Sequence, residues 1–402
     1  MSNIFANIKG DKVIWAIAGL LAIFSFLPVY SASSNLAYLY GDGGTFKYLV
    51  VHFFHLLLGF CVLFAVHKVP YRYFRGISIL MLPVVIVLLI YTMAQGTIID
   101  GAYASRWIQI PVLGVTFQSS TLASVVLMVY VARYMSKITD KKVGFKETIL
   151  PLWLPVGAVL LLILPANFST TALIFAMVLV LMFLGGYPVK YLAAVVTVGI
   201  VVLALFILTA KAFPGVLPNR VDTWVSRIEN FTNGEDTEAD YQIEKAKIAI
   251  ARGGIAGAGI GKSIERNFLP QSSSDFIYAI IVEEMGLVGA FAVMSAYLLL
   301  LFRIVIVATK AETIFGKLVV MGVGIPIVFQ AFVNMAVAVE LFPVTGQTLP
   351  LVSSGGSSIW TTCMALGIVL SVSARREEIK ESEIKEKETD EENPLDILSE
   401  AI

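Results

Sequence analysis

Apolar runs long enough to cross a bilayer recur along the chain between short polar turns, at roughly 13–32, 48–67, 76–94, 112–133, 149–165, 171–187, 191–212, 275–302, 318–340 and 358–374. Ten membrane-spanning helices are predicted. Two polar stretches break this rhythm: a long segment at 213–274, between the seventh and eighth runs, and a Glu- and Lys-rich tail at 375–402. Within the long segment, Tyr241 to Ala251 is amphipathic, with Ile243, Ala246 and Ile250 on one side, and predicts a helix lying on the membrane surface.

The basic residues set the orientation. Lys9 and Lys12, then Lys68, Arg72 and Arg75, then Arg133, Lys137, Lys141, Lys142 and Lys146 fall in alternate loops, as do Lys190, Arg303, Lys310, Lys317, Arg375 and Arg376. The positive-inside rule puts those loops and both termini in the cytoplasm. The segment 213–274 then becomes one large extracytoplasmic loop, long enough to be exempt from the charge rule. The expected fold is therefore an all-α polytopic membrane protein, with a ten-helix membrane domain at 1–374 and a charged, disordered cytoplasmic tail at 375–402 whose first part is helical. Composition agrees: 57% hydrophobic and 14% charged residues, with a mean hydropathy of +0.83, exclude a soluble globular chain. No small-residue cleavage site follows the first apolar run, which is expected to be retained as a helix. Cys61 and Cys363 lie inside apolar runs, so neither a disulfide framework nor a CxxC metal site is indicated.

Acidic residues at the membrane carry the chemistry. The stretch from Leu269 to Gly286 hands a carboxylate, Asp275, from a polar loop to the first turn of the eighth helix. Glu283, eight residues on, is expected two turns deeper and within about 80° of the same face, with Glu284 on the opposite side. A carboxylate inside a bilayer costs several kcal/mol, so each is a functional candidate, with helix capping and interhelical hydrogen bonding as the plainer alternatives. The glycine-rich run Gly253 to Ser263 fails the spacing of a phosphate-binding P-loop. Its glycines are better suited to tight turns and close backbone approach. Nearby Lys262 and Arg266 can pair with a phosphate or simply face solvent. The turn Ser353 to Ser358 presents Gly355, Gly356, Ser357 and Ser358 at the start of the tenth helix, either as an anion site or as a capping turn. Gln330 and Asn334 on the ninth helix read as interhelical hydrogen-bond donors. His52 and His55 are expected to pack or hydrogen-bond, and Arg106-Trp107 marks an interfacial anchor in an outer loop.

Leu269-Pro270, Asp275-Phe276-Ile277, Glu283-Glu284 and Gly286, followed by Pro343, Gly346, Leu349-Pro350 and Ser353 through Ser358, resemble the SEDS family of FtsW, RodA and SpoVE, and more the division-type FtsW. The resemblance spans almost the whole chain, from Arg106-Trp107 through Tyr241-Gln242 to the last helix. It implies a ten-helix peptidoglycan glycosyltransferase of the bacterial inner membrane, sited at the division septum. Such an enzyme polymerises lipid II at the outer face, beside a class B penicillin-binding protein, other divisome proteins and membrane lipids; nucleic acid is not a partner. The family's essential Asp falls on Asp275 and a family Arg on Arg227. Two motifs depart from the family. Thr121 and Ser124 replace a Glu and a Lys in the fourth helix, and Asn167 replaces an Asp near the sixth. Loss of both members of an ion pair leaves no unpaired buried charge.

The implied chemistry has Asp275 as general base on the acceptor 4-hydroxyl, its pKa lifted by partial burial, while the donor loses undecaprenyl pyrophosphate. Arg227, Lys262, Arg266 and the Ser353–Ser358 turn are the expected phosphate partners, with Glu283, Gln330, Asn334, Arg106 and Trp107 in support. A divalent cation, Mg or Mn, is a candidate cofactor with no ligands assigned. Two other classes stay open: a lipid II flippase, against which the apparent lack of broken-helix pairs argues, and a non-catalytic divisome scaffold.

Overall fold

In the computed structural model, residues 9–40, 44–95, 98–99, 102–103, 107–110, 115–139, 141, 143–212, 238–269 and 272–391 are described. Among them, nine helices are long and apolar enough to cross a membrane. They are α1 (Lys12–Tyr40), α2 (Gly44–Lys68), α3 (Phe74–Gln95), α4 (Ser119–Ile138), α5 (Phe145–Ile163), α7 (Val189–Ala212), α9 (Ile277–Thr309), α10 (Ile314–Ala338) and α11 (Gly356–Glu391). Phe168–Leu184, α6, is apolar but only 17 residues long, and it occupies the place of the expected sixth span. α8 (Glu238–Gly253) is the amphipathic helix of the long loop.

Several boundaries differ from the sequence pattern for local reasons. The fourth span starts at Ser119, not near 112. The β-branched residues before it pair instead as an antiparallel hairpin, β3 (Trp107–Ile110) with β4 (Val115–Gln118), in which Trp107 faces Gln118. A smaller pair, β1 (Ile98–Ile99) and β2 (Ala102–Tyr103), precedes it. Inside α5 the backbone widens to a π turn at Ile149–Trp153 around Pro151, which has no N–H to donate. α11 runs unbroken through residue 375 as far as Glu391.

α10 and α11 form the core, and 78% of the most apolar window of α11 is buried. Close approach rests on small residues, as expected where packing rather than the hydrophobic effect joins helices. A Cβ on Gly59 would lie 2.9 Å from Ile359, and one on Gly367 would lie 2.9 Å from Val66, so α2 and α11 nearly touch along their length. Near the opposite limit, only 6% of α7 is buried. The start of α1 and the middle of α11 meet on one side, where Gly10 N–H donates to Glu377 (2.8 Å) and Asp11 N–H to Ser373 (2.8 Å). Arg303, near the end of α9, pairs with Asp11 on that same side.

The decisive irregularity is in α9. Gly286 sits at φ 65°, ψ −163°, which breaks the helix into Ile277–Met285 and Leu287–Thr309. The glycine-rich loop after α8 fills the gap with its own backbone. Ala258 N–H donates to the Glu283 carbonyl (2.9 Å) and Gly259 N–H to the Glu284 carbonyl (3.0 Å). In return, Leu287 and Val288 donate to Gly254 (2.9 Å) and Ile255 (3.4 Å). Leaving such groups buried and unpaired would cost about 1–3 kcal/mol each. Contact is at backbone distance: a Cβ on Gly253 would lie 2.0 Å from the Val282 carbonyl oxygen, and one on Gly257 2.2 Å from that of Glu284. The expected role of these glycines in close backbone approach is thus what the fold uses. α8 correspondingly turns its apolar face, with Ile243, Ala246 and Ala249 buried, onto α9; packing against protein replaces the membrane-surface placement read from its amphipathicity.

A Gly286→Ala substitution would need φ +65° and a Cβ 2.3 Å from the Ile255 carbonyl oxygen, whereas Gly19 has nothing within 4 Å of its Cβ position. The expected cost at Gly286 is at least about 2 kcal/mol, read as a clear fall in apparent melting temperature in detergent, with Gly19→Ala close to wild type.

Candidate functional site

The residues that converge in the fold lie around the N-terminal end of α9. Asp275 is half-buried in a turn over Ser272–Phe276 and precedes the helix, which starts at Ile277. The face argument linking it to Glu283 therefore does not hold, since helical phase cannot be carried through a turn. Both glutamates, moreover, turn to one loop rather than to opposite sides. Glu283 accepts from the Ser263 hydroxyl and from the backbone N–H of Ile264 (2.9 Å), with Arg252 at 3.8 Å. Glu284 accepts from the Ser31 hydroxyl of α1 and from Ser263 N–H (3.3 Å). Both carboxylates are buried, yet enclosed by protein instead of lipid, which is how two adjacent charges are tolerated. Arg266 completes this cluster by donating to Ser31 Oγ (2.8 Å) and the Gly261 carbonyl (3.0 Å), tying the loop to α1. Lys262 is exposed beside it.

A second set of bonds joins the Asp275 turn to the loop before α11. Asn334, buried on α10, donates through Nδ2 to the carbonyls of both Asp275 (2.7 Å) and Gln347 (2.7 Å). Ser353 Oγ donates to the Ser274 carbonyl (2.6 Å), Ser354 N–H to the Ser273 carbonyl (2.9 Å), and Tyr297, fully buried in α9, to the Pro350 carbonyl (2.5 Å). The Asp275 turn is thereby fixed from α10 and from the loop before α11. Ser353 so acts as a bracing residue. Gly355 and Gly356 open α11, and a Cβ on Gly356 would lie 2.6 Å from the His55 ring. Ser357 is buried, its hydroxyl without a hydrogen-bond partner among the described residues and its carbonyl accepting from the Thr361 hydroxyl (2.8 Å), and Ser358 bonds Thr348 (2.8 Å). Gln330 donates to the Thr348 carbonyl (2.9 Å). His52 bonds Ser25 (2.8 Å) and His55 packs on Trp360, the packing roles expected of them.

Between α4, α6, α10 and α11 lies a cavity of about 90 Å³ lined by Thr121, Ser124, Thr170, Gln330, Gln347, Thr348, Ser358, Thr361 and Thr362. Its polar lining carries no charge. Next to it runs an apolar groove of about 270 Å³, lined by Phe168, Ala176, Phe329, Val333, Phe342 and Pro343. Leu173 and Gln347 line both. Neither Ser31 nor Ser263 stands out in the sequence as a carboxylate partner, because the glutamate that Ser31 reaches lies 253 residues away and Ser263 sits in an irregular loop with no periodicity to point it at α9. Gln347 and Thr348 did lie in the Pro343–Ser358 motif. Trp107, half-buried, lies in the hairpin opposite Gln118, which lines the cavity, while Arg106 and Arg227 fall outside the described residues. No group of three or more His, Cys, Asp or Glu side chains gathers as a metal site among the described residues.

The family model described as cell cycle protein, covering FtsW, RodA and SpoVE, matches residues 11–378. The chain belongs to this family. It is 33% identical over 384 residues to a probable peptidoglycan glycosyltransferase FtsW of Geobacter sulfurreducens, covering 93% of this chain and 98% of that one. It is 32% identical to the FtsW of Nitrosomonas europaea so described, over 88% and 90% of the two chains. Among solved structures, a peptidoglycan synthase complex coordinating polymerisation and crosslinking aligns with a TM-score of 0.67 at 25% identity over 91% of this chain and 98% of that one. Thermus thermophilus RodA shares the fold, with a TM-score of 0.63 at 24% identity over 91% and 97%. The chain is thus a multi-pass membrane protein of the FtsW/RodA/SpoVE type.

Within this family fold, the departures noted in the sequence have local explanations. Asn167 caps α6 by accepting from Thr170 N–H (3.1 Å), a role open to Asn and Asp alike. Thr121 bonds back to the Gln118 carbonyl (2.8 Å), and with Ser124 it keeps the cavity neutral.

Asn334→Ala removes the amide that holds both loops. Loss of two hydrogen bonds with their carbonyls left buried is expected to cost about 1–3 kcal/mol and to accelerate amide hydrogen exchange over 272–276. Thr197→Ala, whose exposed hydroxyl bonds only its own helix, serves as the neutral control.

Proposed function

We propose that the chain is a peptidoglycan glycosyltransferase that polymerises lipid II into glycan strands during cell division. The observation that carries this reading is the arrangement around Asn334. One amide ties a half-exposed carboxylate-bearing turn to Gln347, which lines both an uncharged polar cavity and an apolar groove. A substrate with a polar sugar headgroup and a long isoprenoid tail requires that pairing of surfaces. Asp275 acts as general base, taking the proton of the acceptor 4-hydroxyl as that oxygen attacks the donor anomeric carbon, and undecaprenyl pyrophosphate leaves. In-line attack inverts an α-linked donor into a β-linked product. Bracing by Asn334 and Ser353 holds the carboxylate where the hydroxyl arrives, an entropic contribution to the rate. Arg227 and Lys262 neutralise the leaving pyrophosphate, with the Ser357–Ser358 turn as further donor. Arg266, committed to Ser31 and Gly261, shapes the loop that presents Lys262. A divalent cation, where bound, would be held by Asp275 and would supply charge neutralisation for the leaving pyrophosphate.

The positive-inside rule supports an orientation with both termini cytoplasmic and the Asp275 end outside, in the bacterial inner membrane at the septum. Residues 1–374 form the membrane domain, and 375–402 extend it into the cytoplasm. A class B penicillin-binding protein is the natural partner to crosslink the product, and the solved relative coordinates polymerisation with crosslinking. One observation favours a second reading. α9 is broken at Gly286, contrary to the absence of broken helices expected from the sequence, and carriers bind substrates at such breaks. Here the backbone groups of the break are paired with the glycine loop, which supports the glycosyltransferase reading over a carrier.

Purified protein with its cognate penicillin-binding protein is expected to polymerise lipid II, and Asp275→Asn to lose at least about 100-fold in rate with unchanged folding. Asn334→Ala should lose between roughly tenfold and a hundredfold. Equal rates for wild type and Asp275→Asn would remove the carboxylate from the chemistry. Lipid II translocation in proteoliposomes without polymer would move the assignment to the flippase, and neither activity would move it to a scaffold.

A further inference from the structure

At the opposite end of the bundle from Asp275, where α6 and α4 end and α5 and α7 begin, lies a pocket of about 400 Å³. Thr139, Lys141, Gly144, Gly186, Lys190 and Tyr191 are among its lining residues. Among the described residues neither lysine forms an ion pair, and Lys190 Nζ rests 4.9 Å from the Tyr191 ring centroid. The nearest carboxylate on these elements, Glu147, reaches back to Gly144 N–H (3.4 Å) at the start of its own helix. The pocket's volume falls within the range of small-molecule sites. Its surroundings are apolar and outward-facing. Leu184, ending α6, is 45% exposed and Val189, opening α7, is 62% exposed, so both present apolar side chains outward next to the lining residues Gly185, Pro188 and Lys190. An anion bound here must also cover apolar surface. We propose that this pocket binds the phosphate headgroup of an anionic glycerophospholipid, with Lys141 and Lys190 on the phosphate and the acyl chains over Leu184 and Val189. A nucleotide or free phosphate satisfies the lysines and leaves the apolar rim uncovered. The assignment is independent of the reaction proposed for the Asp275 end.

The test is lipid retention by the full chain, purified in detergent with equimolar phosphatidylglycerol and phosphatidylcholine and read by native mass spectrometry. With about a fivefold preference per lysine, wild type should favour phosphatidylglycerol roughly 25-fold, each of Lys141→Gln and Lys190→Gln should keep about fivefold, and the double variant should show none. Because both lysines are exposed, the single variants preserve the test if the double variant folds poorly. A control, Lys137→Gln with Lys146→Gln, removes equal charge at nearby positions outside the lining and should retain the wild-type preference. The proposal is overturned if the pocket variants keep that preference, or if the control loses as much as they do. It is also overturned if millimolar inorganic phosphate displaces the lipid, which would make the site one for soluble phosphate.

Discussion

A membrane helix can be broken only if something else satisfies the backbone groups that the break exposes. At Gly286 that something is the chain's own glycine loop, whose 254, 255, 258 and 259 backbone groups replace the lost helical partners of α9. Everything near Asp275 depends on this exchange. It draws α8 and the second half of the long loop onto α9, encloses Glu283 and Glu284 in protein, and fixes the first nine residues of α9 as a buried pedestal beneath the Asp275 turn. Glycine is required on both sides, since a Cβ at Gly253, Gly257 or Gly286 would fall within 2.3 Å of a backbone oxygen.

Buried polar groups then divide into two networks with different consequences. Around Ser263, carboxylates and a guanidinium meet hydroxyls and backbone N–H groups from α1 and the loop, and each of these bonds crosses between separate elements, those of Ser31 over more than 230 residues. Such a network resists partial loss, because removing one member strands a buried charge. Around Asn334 the bonds run to carbonyls, and they position the turn without altering its charge. A carboxylate so placed is held by its backbone while its side chain remains half-exposed. The adjoining cavity contributes hydroxyls and amides alone, consistent with Thr121 and Ser124 having replaced a charged pair without leaving an orphan.

Much of this was legible in the chain. Ten apolar runs set the order of the helices because bilayer thickness fixes their length; nine of them are long enough to span among the described residues, and the 17-residue α6 takes the remaining place. The resemblance motifs identified the family, and the glycine run announced close backbone approach. Sequence periodicity could not reveal that residues 107–118 would pair as a hairpin, that Asp275 would lie before the helix, or that Glu283 and Glu284 would share Ser263. The last two depend on where another segment packs, and the hairpin is a local pairing of short apolar strands that run length alone does not separate from a helix. The helical wheel assumes an unbroken helix starting where the apolar run starts, and in α9 both assumptions fail: a turn occupies 272–276, and Gly286 ends the first segment. The sequence by itself determined the membrane class, the spans and the candidate carboxylate, since these follow from composition and local pattern. Only the tertiary structure decided which polar groups meet, because a hydrogen bond between Ser31 and Glu284 or Asn334 and Asp275 is a property of packed helices and leaves no periodic trace in either segment.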